Sequence, residues 1–376
     1  MKEKNTVIVK LEEAFSFLNV RSLEYPFSKI TGINNKMKDS LKIAIIGATG
    51  YVGLQLIKIL SNHPKVKIVY LCAKKSVGKK INTFDKGIKK KLPKISNSKI
   101  IDWKKVSVVF TALPNGEAQI IAKKVPDNVK LIDLSADFRL ESYKLYKKWY
   151  GLNHKCKNLI NKSIYAITEF SKNSLNKYKI ISCPGCYPTS ILLPLIPLIK
   201  SNLISSKDII IDSKSGYSGA GRGVHEKFSN KNLYESLSAY GVGFHRHNSE
   251  IEQELNNCIN KKTQFTFTPH LSPMFRGILS TIYVNLNKNS SLKKTYSKLS
   301  NYYKNEYFIK LAPINKTIST NDVINTNFCY ISVCKTKYKN KIIILSAIDN
   351  LIKGGAGQAV QNINNYFGFQ ATKGLI

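Results

Sequence analysis

The stretch Leu41-Lys-Ile-Ala-Ile-Ile-Gly-Ala-Thr-Gly-Tyr-Val-Gly53 decides the fold of this chain. It opens with a buried-strand pattern, continues with three glycines spaced G-x-x-G-x-x-G, and passes into a helical pattern that ends near Leu60. A glycine turn between a strand and a helix lets the backbone approach a pyrophosphate, whose charge then lies at the positive end of the helix. The stretch predicts the first βαβ unit of a dinucleotide-binding domain. The predicted cofactor contacts here are Gly47, Thr49, Gly50, Tyr51 and Val52.

The second strand, Val66 to Ala73, indicates which dinucleotide binds. It ends in Lys74, Lys75 and Ser76, where an NAD site usually has an acidic residue that holds the ribose hydroxyls. Basic residues at this place accommodate a 2′-phosphate instead. The absence of an acid therefore favours NADP(H) as the cofactor, with contacts from these three residues.

Two further strands and a helix extend the parallel sheet. Ser107–Leu113 and Val129–Ser135 have buried-strand patterns, and Gly116–Lys124 has a helical pattern between them. Ligands of open α/β sheets bind outside the carboxyl ends of the strands. Arg139 follows the second of these strands, and we expect it to bind an anionic group of the substrate.

A second informative stretch runs from Lys179 to Leu195. Ile180 and Ile181 form a short apolar run, Cys183-Pro-Gly-Cys186 forms a turn, and Pro188 suits the first position of a helix. A thiol at a helix N-terminus faces unpaired N–H groups, which favour its thiolate, so Cys186 is a candidate nucleophile. C-x-x-C also fits a redox pair, half of a metal site or two buried apolar residues. No second C-x-x-C exists, which argues against structural zinc, and we predict no metal.

After Cys186 the strands follow one another without regular intervening helices, which predicts an α+β domain with a mainly antiparallel sheet. A glycine turn near the C-terminus then enters a helix that we expect to return to the first domain. The predicted division is an NADP-binding domain at 41–185 and 351–376, a catalytic and substrate domain at 186–350, and an N-terminal extension of unknown role at 1–40. The predicted later strands are Asp208–Asp212, Gln264–His270, Ile278–Leu286, Phe328–Lys335 and Lys341–Ile348, the last two as a hairpin.

A cluster of basic residues lies inside the second domain, at His245-Arg246-His247. Ser249 and Glu252 have the spacing of a capping box, which places His245 just before a helix N-terminus. The positive end of a helix holds an imidazole near neutral and able to accept a proton. We therefore predict an acid–base role for His245.

Composition limits the class of protein. The 376 residues predict two domains in a soluble protein, and no stretch approaches the 18 apolar residues of a membrane span. Seven unpatterned cysteines indicate a reducing compartment, and the cytoplasm is the predicted location, with organelle import through residues 1–40 as the alternative. The formal charge of +36 is spread along the chain, so we predict no nucleic-acid partner. Only five of the 59 basic residues are arginines, which suggests that each marks a site needing a bidentate grip.

From about Lys42 to Phe369 the chain resembles the N-acetyl-γ-glutamyl-phosphate reductases, a family of the aspartate-semialdehyde dehydrogenase superfamily. The resemblance implies Cys186 as nucleophile, His245 as acid–base residue, and a homodimer or homotetramer. It also implies cofactor contacts at Ser215, Gly216 and Asn350, and substrate contacts at Arg139, Arg222, Arg246 and Glu250. The sequence departs from the family at Asn115, where His is common, and in Y-A-I-T-E around Glu169. The shared motifs, in order, are G-A-T-G-Y-V-G, L-I-D-L-S-A-D-F-R-L, P-G-C-Y-P-T, K-S-G-Y-S-G-A-G-R, H-R-H-N-S-E-I, F-T-P-H-L-S-P-M-F-R-G-I-L and A-I-D-N-L-I-K-G.

The implied activity is the NADPH-dependent reduction of N-acetyl-γ-glutamyl phosphate to N-acetyl-L-glutamate 5-semialdehyde through a Cys186 thioester, in arginine biosynthesis. An alternative is a reductase of a homologous acyl phosphate in lysine or aspartate metabolism, because one methylene changes only a few pocket contacts. A second alternative is a basic nucleotide-sensing or nucleic-acid-binding protein that kept the fold and lost the chemistry.

Overall fold

A computed structural model of the protein describes residues 40–221 and 235–376. The predictions for the N-terminal extension and for Arg222 lie outside the described residues. The described chain forms two seven-stranded sheets with helices packed against them. No helix in these ranges is both long and apolar enough to cross a membrane.

The first sheet is wholly parallel and has the strand order β3-β2-β1-β4-β5-β7-β6. The predicted strand Leu41–Ile46 is confirmed at both ends, and it lies at the centre with β2 and β4 as neighbours. The order in which the strands are added reverses between β1 and β4, and dinucleotides bind at this switch point in such folds. The strands are β1 (Leu41–Ile46), β2 (Val66–Cys72), β3 (Ile95–Ser96), β4 (Val108–Thr111), β5 (Lys130–Asp133), β6 (Ser163–Tyr165) and β7 (Ile180–Ser182).

Helices cover this sheet, and one of them comes from the C-terminus. Buried Val360 and Ile363 of that last helix share a core with Leu56 and Leu60 of the first helix. The prediction that a C-terminal helix completes the dinucleotide-binding fold is therefore confirmed. The helices are α1 (Tyr51–Ser61), α2 (Ala118–Ala122), α3 (Tyr143–Tyr150), α4 (Lys157–Ile160), α5 (Thr168–Ser171) and, at the C-terminus, α9 (Gly357–Tyr366).

The second sheet has the order β12-β13-β14-β11-β8-β10-β9. Four of its six strand pairings are antiparallel, and β13 pairs with β14 as the predicted hairpin. The predicted α+β fold with a mainly antiparallel sheet is confirmed. The strands are β8 (Ile209–Gly216), β9 (Ser238–Ala239), β10 (Phe265–Ser272), β11 (Ile278–Asn285), β12 (Ile309–Leu311), β13 (Cys329–Lys335) and β14 (Lys341–Ile348).

Three helices pack on one face of this sheet: α6 (Cys186–Lys200), α7 (Asn248–Ile259) and α8 (Leu292–Tyr303). Helix α6 is buried from Tyr187 to Ile199, as expected for a helix that is apolar on every side. The expectation of strands without intervening helices is wrong at α8, which connects β11 with β12. Its buried face, with Leu299 and Tyr303 four residues apart, carries the helical period in the sequence.

Candidate active site

A cavity of about 690 Å³ lies where the carboxyl ends of the first sheet meet the start of α6 and the end of β8. It brings together residues that are far apart in the chain and were predicted separately. Seven other predicted residues of the described chain do not line it: Gly47, Thr49, Lys74, Lys75, Ser76, Gly216 and Glu250. The predicted residues that line it are Gly50, Tyr51, Val52, Arg139, Cys186, Ser215, His245, Arg246 and Asn350.

The glycine turn after β1 forms one wall of this cavity. Gly47 has φ +95°, and a Cβ at this position would lie 2.1 Å from the carbonyl oxygen of Ala112. Only glycine therefore permits the turn to approach the end of β4 so closely. Helix α1 begins at Tyr51, and Gly50 before it provides no side-chain cap. The first N–H groups of α1 suit the binding of a pyrophosphate. Gly47 does not line the cavity, and its role is to permit the turn that places these N–H groups there.

The loop after β2 carries the predicted 2′-phosphate contacts. Lys74 is exposed and forms an ion pair with Glu117, which precedes α2. This pair joins the loop after β2 to the loop after β4, on the two sides of β1. The Glu117 carboxylate thus lies beside Lys74, one of the predicted cofactor contacts. It follows β4, whereas an acidic residue that holds the ribose would be expected directly after β2.

Cys186 is the first residue of α6, so the helix begins two residues before Pro188, which was predicted at the first position. Burial raises the pKa of the Cys186 thiol to about 11, against the opposing effects of the Arg139 guanidinium and the Tyr187 N–H. The N–H groups at the helix end lower the pKa of the thiol, as predicted, but burial raises it by more. The thiol is therefore protonated near neutral pH and needs a base to react.

Cys183 differs from Cys186 in its surroundings. Its side chain is 1% exposed, and burial raises the pKa of its thiol to about 12. Its carbonyl oxygen accepts a hydrogen bond from Arg139 Nε at 2.9 Å. These contacts indicate a structural position in the turn.

Arg139 and Glu250 form a buried ion pair with Nη1 and Oε1 2.9 Å apart. Burial alone would lower the pKa of Arg139, but the Glu250 carboxylate outweighs it and the pKa is raised. Arg139 also donates to the carbonyl oxygen of Leu134, and Glu250 Oε2 accepts from the Gly185 N–H and the Tyr165 hydroxyl, both at 2.9 Å.

This pair changes the predicted roles of both residues. Glu250 is fully buried and faces protein donors, in place of the predicted contact with substrate. It holds the turn that precedes Cys186. Arg139 reaches the cavity wall, but each of its guanidinium nitrogens already has a protein acceptor. Direct binding of substrate by Arg139 and Arg246 stays a prediction.

The two histidines of H-R-H both line the cavity, and their rings are 4.7 Å apart. His245 Nδ1 accepts the backbone N–H of His247 at 3.2 Å, so the neutral ring carries its proton on Nε2. Burial, followed by Arg246, lowers the pKa of His245 to about 4. His245 is thus arranged to donate a hydrogen bond from Nε2.

His247 is the functional candidate that the sequence argument missed. Its Nε2 lies 3.8 Å from Glu250 Oε1, and a Cβ at Gly185 would lie 2.5 Å from that nitrogen. Its Nδ1 is buried and has no hydrogen-bond partner within residues 40–221 and 235–376. Burial, followed by His245, holds the pKa of His247 well below its usual value. The available signal was the spacing of His247 and Glu250, three residues apart at the start of a helix.

The predicted capping box is wrong. Helix α7 begins at Asn248 with His247 as the N-cap residue, and no side chain caps it. Ser249 lies in the first turn, where its hydroxyl donates to the carbonyl oxygen of Arg246 at 2.6 Å. The helix start is therefore upstream of the predicted cap and carries His247 against the Cys186 turn.

The loop after β10 attaches the second sheet to α1. Phe275 contacts Tyr51 edge to face at 5.4 Å, and Arg276 donates to Gln55 at 3.3 Å and to Asp349 at 3.1 Å. Asn350, predicted to contact the cofactor, accepts the Gly277 N–H at 2.7 Å and donates to Ser218. Its amide therefore positions loops around the cavity that it also lines.

Comparison with known proteins supports this arrangement. Residues 42–178 match the family model "Semialdehyde dehydrogenase, NAD binding domain", and residues 186–350 match "Semialdehyde dehydrogenase, dimerisation domain". The chain is 43% identical over 333 residues to N-acetyl-gamma-glutamyl-phosphate reductase of Ehrlichia canis, covering 87% of this chain and 95% of the relative. It is 40% identical over 342 residues to the probable chloroplastic N-acetyl-gamma-glutamyl-phosphate reductase of Arabidopsis thaliana, covering 91% and 85%.

Solved structures support the fold alone, because their sequence identity is low. Aspartate semialdehyde dehydrogenase II of Vibrio cholerae, in a complex with ASA, has a TM-score of 0.66 and 17% identity, covering 87% of this chain and 98% of the other. Aspartate semialdehyde dehydrogenase of Candida albicans with NADP has a TM-score of 0.60 and 18% identity, covering 88% and 99%.

Proposed function

The chain belongs to the N-acetyl-γ-glutamyl-phosphate reductase family, and from this premise we propose that it reduces N-acetyl-γ-glutamyl phosphate to N-acetyl-L-glutamate 5-semialdehyde, in arginine biosynthesis. The protein is an oxidoreductase of the semialdehyde dehydrogenase type. The observation that carries the proposal is the position of Cys186, at a helix start in a cavity that also contains a dinucleotide-type glycine turn and two histidines.

The first half of the reaction uses the thiol as a nucleophile. A base removes the proton of Cys186, and the sulfur attacks the acyl phosphate carbonyl. The S–C bond forms, the C–O bond to phosphate breaks, and phosphate leaves with its electron pair. We assign stabilisation of the developing oxyanion to the N–H groups at the start of α6, since each such donor contributes roughly 3 kcal/mol in comparable sites.

The second half converts the thioester to an aldehyde. The nicotinamide cofactor, when bound, supplies the hydride. The first N–H groups of α1, beside Gly50, are the proposed contacts for its pyrophosphate, and Ser215 and Asn350 line the same cavity. The thioester carbon accepts this hydride, the C–S bond then breaks as the carbonyl re-forms, and the Cys186 thiolate that leaves takes up one proton from the site histidines.

We assign the two histidines different tasks. His245 has its proton on Nε2 and donates to the substrate oxygen on which charge develops, which supports its predicted acid role. His247 accepts the thiol proton, because it packs on the Cys186 turn and an imidazolium there lies beside the Glu250 carboxylate. This replaces the prediction that His245 alone acts as both acid and base.

The assay that tests the function runs the reaction backwards, with purified protein, N-acetyl-L-glutamate 5-semialdehyde, phosphate and each nicotinamide cofactor. We expect phosphate-dependent formation of reduced cofactor, with the highest kcat/KM for this aldehyde. Aspartate semialdehyde is the comparison substrate. Equal or better turnover of aspartate semialdehyde would contradict the proposal and favour a homologous acyl-phosphate reductase.

The proposed cofactor is NADP(H), with Lys74 and Lys75 as contacts to the 2′-phosphate. We expect the double substitution Lys74→Gln and Lys75→Gln to raise the KM for NADP roughly 10- to 100-fold, as loss of hydrogen bonds to a charged group does, and to leave the KM for NAD nearly unchanged. Lys293→Gln, an exposed lysine on α8, is the matched control.

Glu117→Gln removes the partner that competes for Lys74, so it should preserve or lower the KM for NADP. Equal effects on both cofactors would contradict the assignment.

We propose that the protein is a homodimer or homotetramer formed through the second sheet. The face of this sheet away from its helices exposes Ile210 and Tyr283, which are 51% and 42% exposed and paired across β8 and β11. Changing both to Glu places like charges across such an interface. Light scattering should show a shift from a multiple of 42.4 kDa to the single-chain mass. An unchanged oligomer mass would place the interface elsewhere.

The proposed location is the cytoplasm, with import through residues 1–40 as the alternative. Cell fractionation of the full chain and of a chain that starts at Met37 separates the two. Retention of the full chain in an organelle would support the alternative.

A further inference from the structure

A completely buried ion pair lies behind the active-site cavity. Lys353 Nζ is 2.5 Å from Glu169 Oε1, and neither side chain is exposed. Both groups also bond to Gln361, at 2.9 Å each. Burial alone would raise the pKa of Glu169, but Lys353 outweighs burial and holds it below its usual value, so the carboxylate is ionised.

A buried ion pair contributes little net free energy to the stability of a core. Removing two charges from water costs free energy, whereas burying apolar side chains of similar size is favourable. The attraction between the two charges offsets this cost only when every polar atom has a hydrogen-bond partner. Glu169 Oε2 has no hydrogen-bond partner within residues 40–221 and 235–376. Stability alone therefore explains the pair poorly, and its position offers another explanation.

Lys353 belongs to a π-helical turn, Ile352–Ala356, that follows β14 and leads into α9. Such turns often lie at functional sites. The next residue, Gly354, contacts the nucleophile: a Cβ at Gly354 would lie 2.7 Å from Cys186 Cβ and 3.1 Å from its Cα. The backbone of this turn is thus one wall of the space around the Cys186 side chain.

The turn is held at two points. Asp349 holds its start, because Oδ1 accepts the N–H groups of Leu351 and Ile352 and the main-chain oxygen accepts that of Gly354. The side chain of Lys353 holds its middle, by reaching away from the cavity to Glu169 on α5 and Gln361 on α9. If the Lys353 contacts were lost, Asp349 would be the remaining one of these two anchors for the backbone beside Cys186.

We propose that Lys353 and Glu169 are positioning residues for the reaction at Cys186: their ion pair fixes the Ile352–Ala356 turn so that Gly354 stays against the cysteine and sets the direction of its thiol. The inference rests on the proposed role of Cys186 as the nucleophile. Neither charged group reaches the cavity, so the pair acts through the turn.

Two variants separate positioning from simple stabilisation. Glu169→Gln combined with Lys353→Met removes both charges at similar side-chain length, so no unpaired charge is buried. Glu169→Asp keeps both charges and withdraws the carboxylate by one methylene. Ile363→Val, at a buried residue on the same helix as Gln361, is the control for lost packing. All are made in the full chain and checked by circular dichroism.

Three quantities are measured: the Kd for NADP, the kcat with N-acetyl-L-glutamate 5-semialdehyde and phosphate, and the rate constant for alkylation of Cys186 by iodoacetamide. Mass spectrometry of the tryptic peptide 180–200 localises the label to Cys186 or Cys183. In both pair variants we expect an NADP Kd within about twofold of wild type, a kcat lowered roughly tenfold or more, and an alkylation rate changed about fivefold. Ile363→Val should leave kcat and alkylation within about twofold.

Folded pair variants with kcat and alkylation rates within about twofold of wild type would overturn the proposal and leave the pair a stabilising contact. If the double variant does not fold, Glu169→Asp decides by the same criteria. A wild-type protein that does not turn over the aldehyde refutes the proposed function instead, and the alkylation rates still decide whether the pair positions Cys186.

Discussion

Cys186→Ser is expected to lower the phosphate-dependent oxidation of N-acetyl-L-glutamate 5-semialdehyde by roughly 10⁴-fold or more, as removal of a covalent nucleophile does in enzymes of this kind. A hydroxyl is a far weaker acid than a thiol, and the burial that already raises the pKa of Cys186 to about 11 would disfavour an alkoxide further. The oxygen ester would also transfer its acyl group less readily than a thioester. Steady-state kinetics and titration with NADP measure the two parts of this prediction, because the cofactor Kd should stay near that of wild type.

Cys183→Ser is the matched control, three residues away in the same turn. Its thiol is buried, and burial raises its pKa to about 12, so we expect activity near that of wild type with a modest loss of stability. Loss of turnover in a folded Cys183→Ser protein would support the redox-pair interpretation of C-x-x-C. Full turnover by Cys186→Ser would exclude a thioester.

Local patterns in the sequence predicted much of this site. The strand Leu41–Ile46, the glycine turn after it and Cys186 at a helix start each depend on residues within a few positions of one another, so their periods and turn residues are visible in the chain. The edge strands β3 and β9 have two residues each, which is too few to show an alternation. Helix α7 starts before the predicted cap because the main-chain oxygens of residues 245–247 already accept N–H groups of its first turn, so that no capping side chain is required there.

Contacts between distant residues could not be predicted in this way. Arg139 and Glu250 are 111 positions apart, and the sequence shows two charged residues near motifs but not that they neutralise each other. The same holds for Lys353 and Glu169, 184 positions apart. The role of His247 depends on such a contact, because only the folded chain places it between the Cys186 turn and Glu250.

His247→Gln is expected to lower kcat/KM roughly 10²- to 10⁴-fold, the usual contribution of a general base, and His245→Gln to have the smaller effect on the step that forms the thioester. Burial holds the pKa of His247 well below its usual value, so the ring is neutral at pH 7 and can accept a proton. Rapid mixing with acyl phosphate, followed by the release of phosphate, isolates this step from hydride transfer. A larger loss in His245→Gln than in His247→Gln would return the base to His245.

A double substitution shows whether His247 works through the thiol. If the only task of His247 is to remove the proton of Cys186, its loss has no further effect once Cys186 is alanine, which has no proton to remove, and the residual activity of Cys186→Ala with His247→Gln should equal that of Cys186→Ala alone. Additive losses would instead mean that His247 contacts the substrate in a way that does not depend on the sulfur. Glu250→Gln extends the same logic: because the carboxylate lies 3.8 Å from His247 and stabilises an imidazolium there, its effect should also disappear in the Cys186→Ala background, provided that the turn it holds through Gly185 stays folded.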